Sequence, residues 1–240
     1  MKRHLAARLL CLLFCLALCS GLTVHAVDRP AAFTPSAAYD GRFLDVKETD
    51  WFYPNVATLF SLGLTQGKTA DLFGVYDNIS VKEVIGFAAR VRSLYFYGDA
   101  EMGAMYYVPE ELDEELWYLP YVLYLKSDGV LDNSLDDRMD QAASRSQTAH
   151  LAARALPAEL FLPINDAVVS VGYATHAFIP DVDEYTPYQR DILQLYKWGI
   201  VSGSDETGRF YPDEPITRSE FSALLTRLTD PALRVVLDWD

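Results

Sequence analysis

Three stretches of the chain repeat one arrangement of apolar and polar positions. Apolar or small residues recur at i, i+3, i+4 and i+7 in Val84, Phe87, Ala88 and Val91, again in Phe221, Leu224, Leu225 and Leu228, and more thinly in Thr148, Leu151, Ala152 and Ala155. That spacing lays one stripe along a helix of about 3.6 residues per turn. Each stripe follows a Ser or Thr with Glu or Gln three residues on: Ser80 and Glu83, Ser144 and Gln147, Thr217 and Glu220. This is the capping box, in which the hydroxyl takes an orphan first-turn amide and the longer side chain reaches back to the cap. The segments "ISVKEVIGFAARV" (79–91), "ASRSQTAHLAARA" (143–155) and "ITRSEFSALLTRL" (216–228) are each predicted to start a helix.

A second helix is predicted ahead of each capped one. Trp51 to Gly63 and Trp117 to Gly129 share one spacing, and a third copy ends at Gly199 with Pro187 where the tryptophan would stand. The pairs Val56/Leu59, Val122/Leu125 and Ile192/Leu195 coincide, and each glycine is followed by an apolar residue, the pattern of a left-handed C-terminal cap. Each unit thus reads as helix, loop, capped helix. Such a unit cannot bury its apolar face alone. The prediction is a mostly all-α fold in which three helix-loop-helix units pack as one pseudo-threefold domain. The units span residues 40–97, 98–156 (with an acidic, loop-like joint at 98–114) and 178–230, with linkers at 27–39 and 157–177 and a tail at 231–240. Val168 to Tyr173, "VVSVGY", reads as a short strand.

The first 26 residues fit none of these units. Lys2, Arg3 and Arg8 precede an apolar run from Leu9 to Cys19, then Ser20, Gly21 and Val24-His25-Ala26. This is the layout of a secretory signal peptide cleaved after Ala26. The run is shorter than the roughly 20 residues that span a bilayer, so the mature chain is expected to have no transmembrane segment. All three cysteines lie in it, which leaves the mature chain no thiol, disulfide or thiolate metal site. Without residues 1–26 there remain 17 basic against 34 acidic residues, a net −17. Nucleic acid is therefore excluded as a partner.

Candidate chemistry is sparse. Mature histidines are His150 and His176, and no Gly-x-Ser-x-Gly elbow is present. Asp132, Asp136, Asp137 and Asp140 read as a solvated loop rather than a catalytic carboxylate pair. "DNSLDDRMDQ" (132–141) and "SGSDETGRFYPDE" (202–214) are oxygen-rich but lack the Glu-terminated twelve-residue calcium loop. No catalytic residue, cofactor or metal is expected. Arg218 stands out because a cation in the first turn of a helix opposes the dipole. On that argument its removal should hardly change stability, unless it pairs with Asp213 or Glu214. Arg90, Arg154 and Arg227, seven residues after each Glu or Gln, read as partners of the helix C-terminal dipole with buried stems.

Together these residues resemble the S-layer homology (SLH) domain family. The third copy carries "FIPDV" (178–182), "LYKWGIVSGSDETGRFYPDEPITRSEF" (195–221) and Thr217-Arg218-Ser219-Glu220 at the family's Thr-Arg-Ala-Glu signature. The first has "FLDV" (43–46), "WFYPNVATLFSLGLTQG" (51–67) and a signature reduced to Ser80-Val81-Lys82-Glu83. The second has "WYLPYVLYLKSDGV" (117–130) and Ser144-Arg145-Ser146-Gln147, without the Phe-x-Asp-Val opening.

The resemblance implies a three-pronged helical spindle that holds exported proteins to the bacterial envelope non-covalently. The implied partners are secondary cell-wall polysaccharide or peptidoglycan-linked glycan, often ending in a pyruvylated amino sugar bound in grooves between repeats. Implied ligand-binding residues are Arg218, Arg145, Lys82, Asp181, Asp45, Trp51 and Trp117. Arg218 is the principal contact and Arg145 a secondary one, a guanidinium gripping a carboxylate bidentately. Backbone amides at the helix start would favour the same anion. Val81 replaces the signature arginine and Gln147 the glutamate, so at most two grooves are expected to be competent. The implied location is secreted and associated with the cell wall or cell surface. A second reading stays open. With no cargo domain expected after the third copy, the chain would be a degenerate SLH-derived module that contacts envelope proteins, through aromatics such as Tyr95, Tyr97, Tyr106 and Tyr107 near the first joint.

Overall fold

A computed structural model describes residues 30–165 and 179–237. The signal-peptide reading, the strand at Val168 to Tyr173, Phe178 and His176 lie outside them. Among the described residues the fold is all-α, with seven helices: α1 Tyr53–Ser61, α2 Val81–Tyr97, α3 Met102–Met105, α4 Leu119–Ser127, α5 Arg145–Ala155, α6 Gln189–Lys197 and α7 Arg218–Thr229.

The predicted helix ends form by the predicted devices. Ser80, Ser144 and Thr217 are N-caps with both halves of the capping box present. The Thr217 amide donates to Glu220 Oε2 (2.9 Å), and the Ser144 amide to Gln147 Oε1 (2.9 Å), so glutamine serves as well as glutamate. Gly63, Gly129 and Gly199 take φ of +71°, +69° and +71°. Behind each, the next amide reaches back six residues inclusive: Leu64 to Leu59, Val130 to Leu125 and Ile200 to Leu195, all at 2.9 Å. That is the Schellman closure, which only a left-handed residue permits without strain.

The joint at 98–114 is more structured than its composition suggests. It holds α3, whose Gly103 lies so close to α4 that a Cβ there would meet the Tyr124 ring at 2.6 Å. No apolar period marks a single turn of Met-Gly-Ala-Met, so the joint reads as loop in sequence.

Packing runs between units. α4 lies on α2, α6 on α5, and α1 on α7, so every first helix packs against the capped helix of the preceding unit and the last contact joins the two ends of the array. Thr226 of α7 donates to Asn55 of α1 across that closing contact (2.8 Å). One continuous core contains Leu59, Ile85, Leu125, Leu151, Leu195 and Leu225, and a satellite of Phe43, Phe52, Val56 and Phe73 sits under the first unit.

The residues just before the three caps form a closed backbone ring. The Ile79 amide donates to the Ile216 carbonyl (3.1 Å), Ile216 to Ala143 (3.3 Å) and Ala143 to Ile79 (2.8 Å). Ile79, Ala143 and Ile216 are all buried there.

Candidate functional site: two grooves between units

Each capped helix inserts its first turn into the loop of another unit. The amides of Arg218 and Ser219 donate to the carbonyls of Asp77 (3.0 Å) and Val75 (3.3 Å). Those of Arg145 and Ser146 reach Glu214 and Pro212 (2.9 Å each), and those of Val81 and Lys82 reach Gln141 and Met139 (3.0 Å each). The orphan donors of all three helix starts are thus consumed. This corrects the expectation that the amides of the Arg218 turn favour an anion, since protein carbonyls already occupy them.

The signature arginines follow their backbones inward. Arg218 is only 4% exposed; its Nε donates to the Phe73 carbonyl (2.8 Å) and its guanidinium to Glu83 Oε1 (2.7 Å). The guanidinium lies over the Phe73 ring, 5.0 Å from its centroid. Burial pushes the pKa of Arg218 down, against the opposing field of Glu83. Its acid partner is therefore Glu83 of the first unit, neither Asp213 nor Glu214. The expectation that removing it leaves stability unchanged is corrected with it: a buried, paired cation outweighs a dipole effect of about 0.3–1 kcal/mol. Arg145 repeats the geometry, with Nε on the Phe210 carbonyl (2.6 Å) and the guanidinium 3.4 Å from Glu220.

Around these arginines open two grooves of matching composition. The larger, of about 430 Å³, is lined by the Gly63–Lys68 loop, Glu83, Phe87, Arg90, Trp117 and Arg218. The smaller, of about 270 Å³, is lined by Val201 to Ser204, Glu220, Leu224, Arg227, Trp51 and Arg145. Each draws its loop, signature Glu and later arginine from one unit, its signature arginine from a second and its tryptophan from the third. Trp51 is 62% exposed at the rim, whereas Trp117 packs against the core beside Tyr118 and Tyr121.

The third junction is filled instead. Val81 replaces the arginine, and Lys82 pairs with Asp140 while lying over Tyr118. Tyr188, where the other units have Phe52 and Tyr118, turns to φ +58° and stacks on His150 at 4.1 Å. His150 is buried, with Nδ1 on Asp191 (2.7 Å) and Arg154 3.5 Å from the same carboxylate.

Asp45 and Asp181 line neither groove. Asp45 accepts from the amides of Phe73, Gly74 and Val75 (2.7–3.1 Å), and Asp181 from those of Phe210 and Tyr211 (2.8 and 2.7 Å). Their oxygens hold the loops that receive Arg218 and Arg145. In the oxygen-rich 202–214 loop, Asp205 is likewise engaged by Thr207, Arg209 and Tyr211, and no acidic or histidine cluster suited to a metal occurs among the described residues.

Sequence reading missed two kinds of groove residue. Gly67 and Gly203, four positions after the capping glycines, both sit at φ +92°, where a Cβ would come within 2.8 Å of neighbouring atoms. Their shared offset is visible in the sequence; the middle unit has Asn133 there, in a turn of 3-10 helix. Arg90 and Arg227 are groove-lining cations, not merely ends of helices.

No helix among the described residues is long and apolar enough to cross a membrane. No curated protein matches the chain. The family model described as the S-layer homology domain matches residues 42–80 and 179–222, so the units carrying the two open grooves' loops are those similar to a family of non-catalytic domains that bind cell-wall polymers.

Proposed function

We propose that the chain is a non-catalytic protein of the bacterial envelope that attaches to secondary cell-wall polysaccharide, of the pyruvylated kind, through its two open grooves. The middle unit is a third SLH repeat whose junction has closed. The carrying observation is the double construction of one site: signature arginine, glutamate, later arginine and tryptophan converge from three units in each groove. Aromatic and guanidinium groups around polar clefts suit a polysaccharide that carries acidic sugars, the ring giving a stacking face and an uncommitted guanidinium a bidentate hold on a carboxylate. Arg218 and Arg145 form the groove floors, and residues 1–26 act as an export signal.

The deciding experiment is co-sedimentation of the mature protein with purified sacculi, compared with sacculi stripped of polysaccharide. Binding only to the former supports the reading; equal binding to both refutes it. Intact mass of secreted protein should start at Val27. A second reading, an envelope-protein partner, draws on the exposed group of Tyr97, Met105, Tyr106 and Val108 around α3. Retention on stripped sacculi, lost on Tyr106→Ser with Met105→Ser, would favour it.

A further inference from the structure

The two grooves share a plan but differ in charge pairing. In the larger one every cation is matched by an acid. Arg218 meets Glu83 at 2.7 Å and Lys68 meets Asp77 at 2.5 Å. Arg90 is clamped twice: its Nε donates to Glu101 (2.7 Å) and its other end to the Tyr121 hydroxyl (2.8 Å), which itself donates to Glu101 Oε2 (2.5 Å). Glu101 stands at the start of α3, so the inserted joint supplies the acid that neutralises this groove.

Among the described residues the smaller groove has no counterpart to Glu101. Arg227, at the position matching Arg90, donates only to the Ile200 carbonyl (3.2 Å) and has no carboxylate partner among the described residues. It is half-buried, and burial pushes its pKa down. A half-buried guanidinium with most of its donors unmatched among the described residues favours an anion that completes it. Exposed Trp51 lines the same groove.

We infer that the two grooves divide the glycan between them: the smaller reads the acidic residue through Arg227, and the larger takes an uncharged sugar. This rests on the wall-glycan reading. Arg145 and Arg218, already bonded to glutamates and carbonyls, shape the grooves, while Arg227 holds the free fork that matches a carboxylate. The larger groove's balanced ion pairs leave it no net pull on an anion, but they present carboxylate and guanidinium edges to hydroxyls.

The test is calorimetric titration of the mature protein with two probes: a methyl N-acetylhexosaminide bearing a pyruvate ketal, and the same glycoside without it. Wild-type protein should bind one equivalent of the ketal probe. Arg227→Gln should weaken that roughly ten- to a hundredfold, the effect of one charge-assisted contact, and leave the neutral probe unaffected. Glu101→Gln frees Arg90 and should add a second ketal-binding equivalent. Arg227→Gln binding the ketal probe like wild type overturns the inference, as does wild type binding two equal equivalents. Should Arg227→Gln fail to fold, Glu101→Gln decides alone: a second equivalent supports the division and unchanged stoichiometry overturns it. Wild type that binds neither probe refutes the wall-glycan reading itself and takes the inference with it.

Discussion

Replacing Arg218 with Ala should unlock the contact between the third and first units. The side chain is almost wholly buried and makes two strong bonds, one to the Phe73 carbonyl and one to Glu83. A hydrogen bond to a charged group contributes about 1.5–3 kcal/mol. Breaking a fully buried ion pair costs about 3–5 kcal/mol because the surviving charge is stranded. Glu83 is not fully stranded: it is 23% exposed and still accepts from the Ser80 amide and hydroxyl. Relief of the dipole returns about 0.3–1 kcal/mol. The expected net loss is ~2–4 kcal/mol, or roughly 4–16 °C in Tm for a domain of this size. Differential scanning calorimetry of Arg218→Ala, Glu83→Ala and the double variant measures both the loss and its coupling. A Tm within about 1 °C of wild type, or a coupling near zero, would refute the pairing.

Three further outcomes follow from the packing. Because α1 closes on α7, a fragment of residues 27–177 should give no cooperative melt by circular dichroism, whereas a stable independent transition would refute the closed array. Burial raises the Asp45 pKa and the Phe73, Val75 and Gly74 amides more than offset it, leaving it below the ordinary carboxylate value. A depressed folded pKa gives stability present above about pH 4 and lost as pH falls through the lower folded value, so Asp45→Asn should flatten the acid limb of a Tm-against-pH curve. Tyr124 has a buried hydroxyl with no partner among the described residues, and burial pushes its pKa up to about 12. Tyr124→Phe should keep or raise Tm, whereas Gly103→Ala, forced against the same ring, should cost about 1–3 kcal/mol in a denaturant titration.

What the sequence disclosed is what a few neighbouring residues decide. Capping boxes and the glycines at 63, 129 and 199 each act within six residues, so their spacing alone names the helix ends. The partners of Arg218 lie 135 and 145 positions away, and nothing local says which carboxylate it meets. Asp45 is similar: the Phe-x-Asp-Val motif marks the residue, but only folding brings amides 28–30 residues downstream onto its oxygens. The closure of the third junction was half legible. Val81 announced a missing cation, while the filling of the space by Tyr188 and His150 depends on a left-handed backbone at a tyrosine, a conformation no sequence rule favours.

The backbone ring of Ile79, Ala143 and Ile216 is directional, each unit giving its amide to one neighbour and its carbonyl to the other. An interface of that kind is heterologous, and it stays finite only because the chain bends it into a circle. If the ring opens between the first and third units, one molecule shows a free donor edge and a matching free acceptor edge. A second opened molecule can satisfy both with no new contact chemistry, giving an exchanged dimer, and further molecules extend it head to tail. Refolding at high protein concentration should therefore trap linear exchanged oligomers that dilution alone does not dissolve.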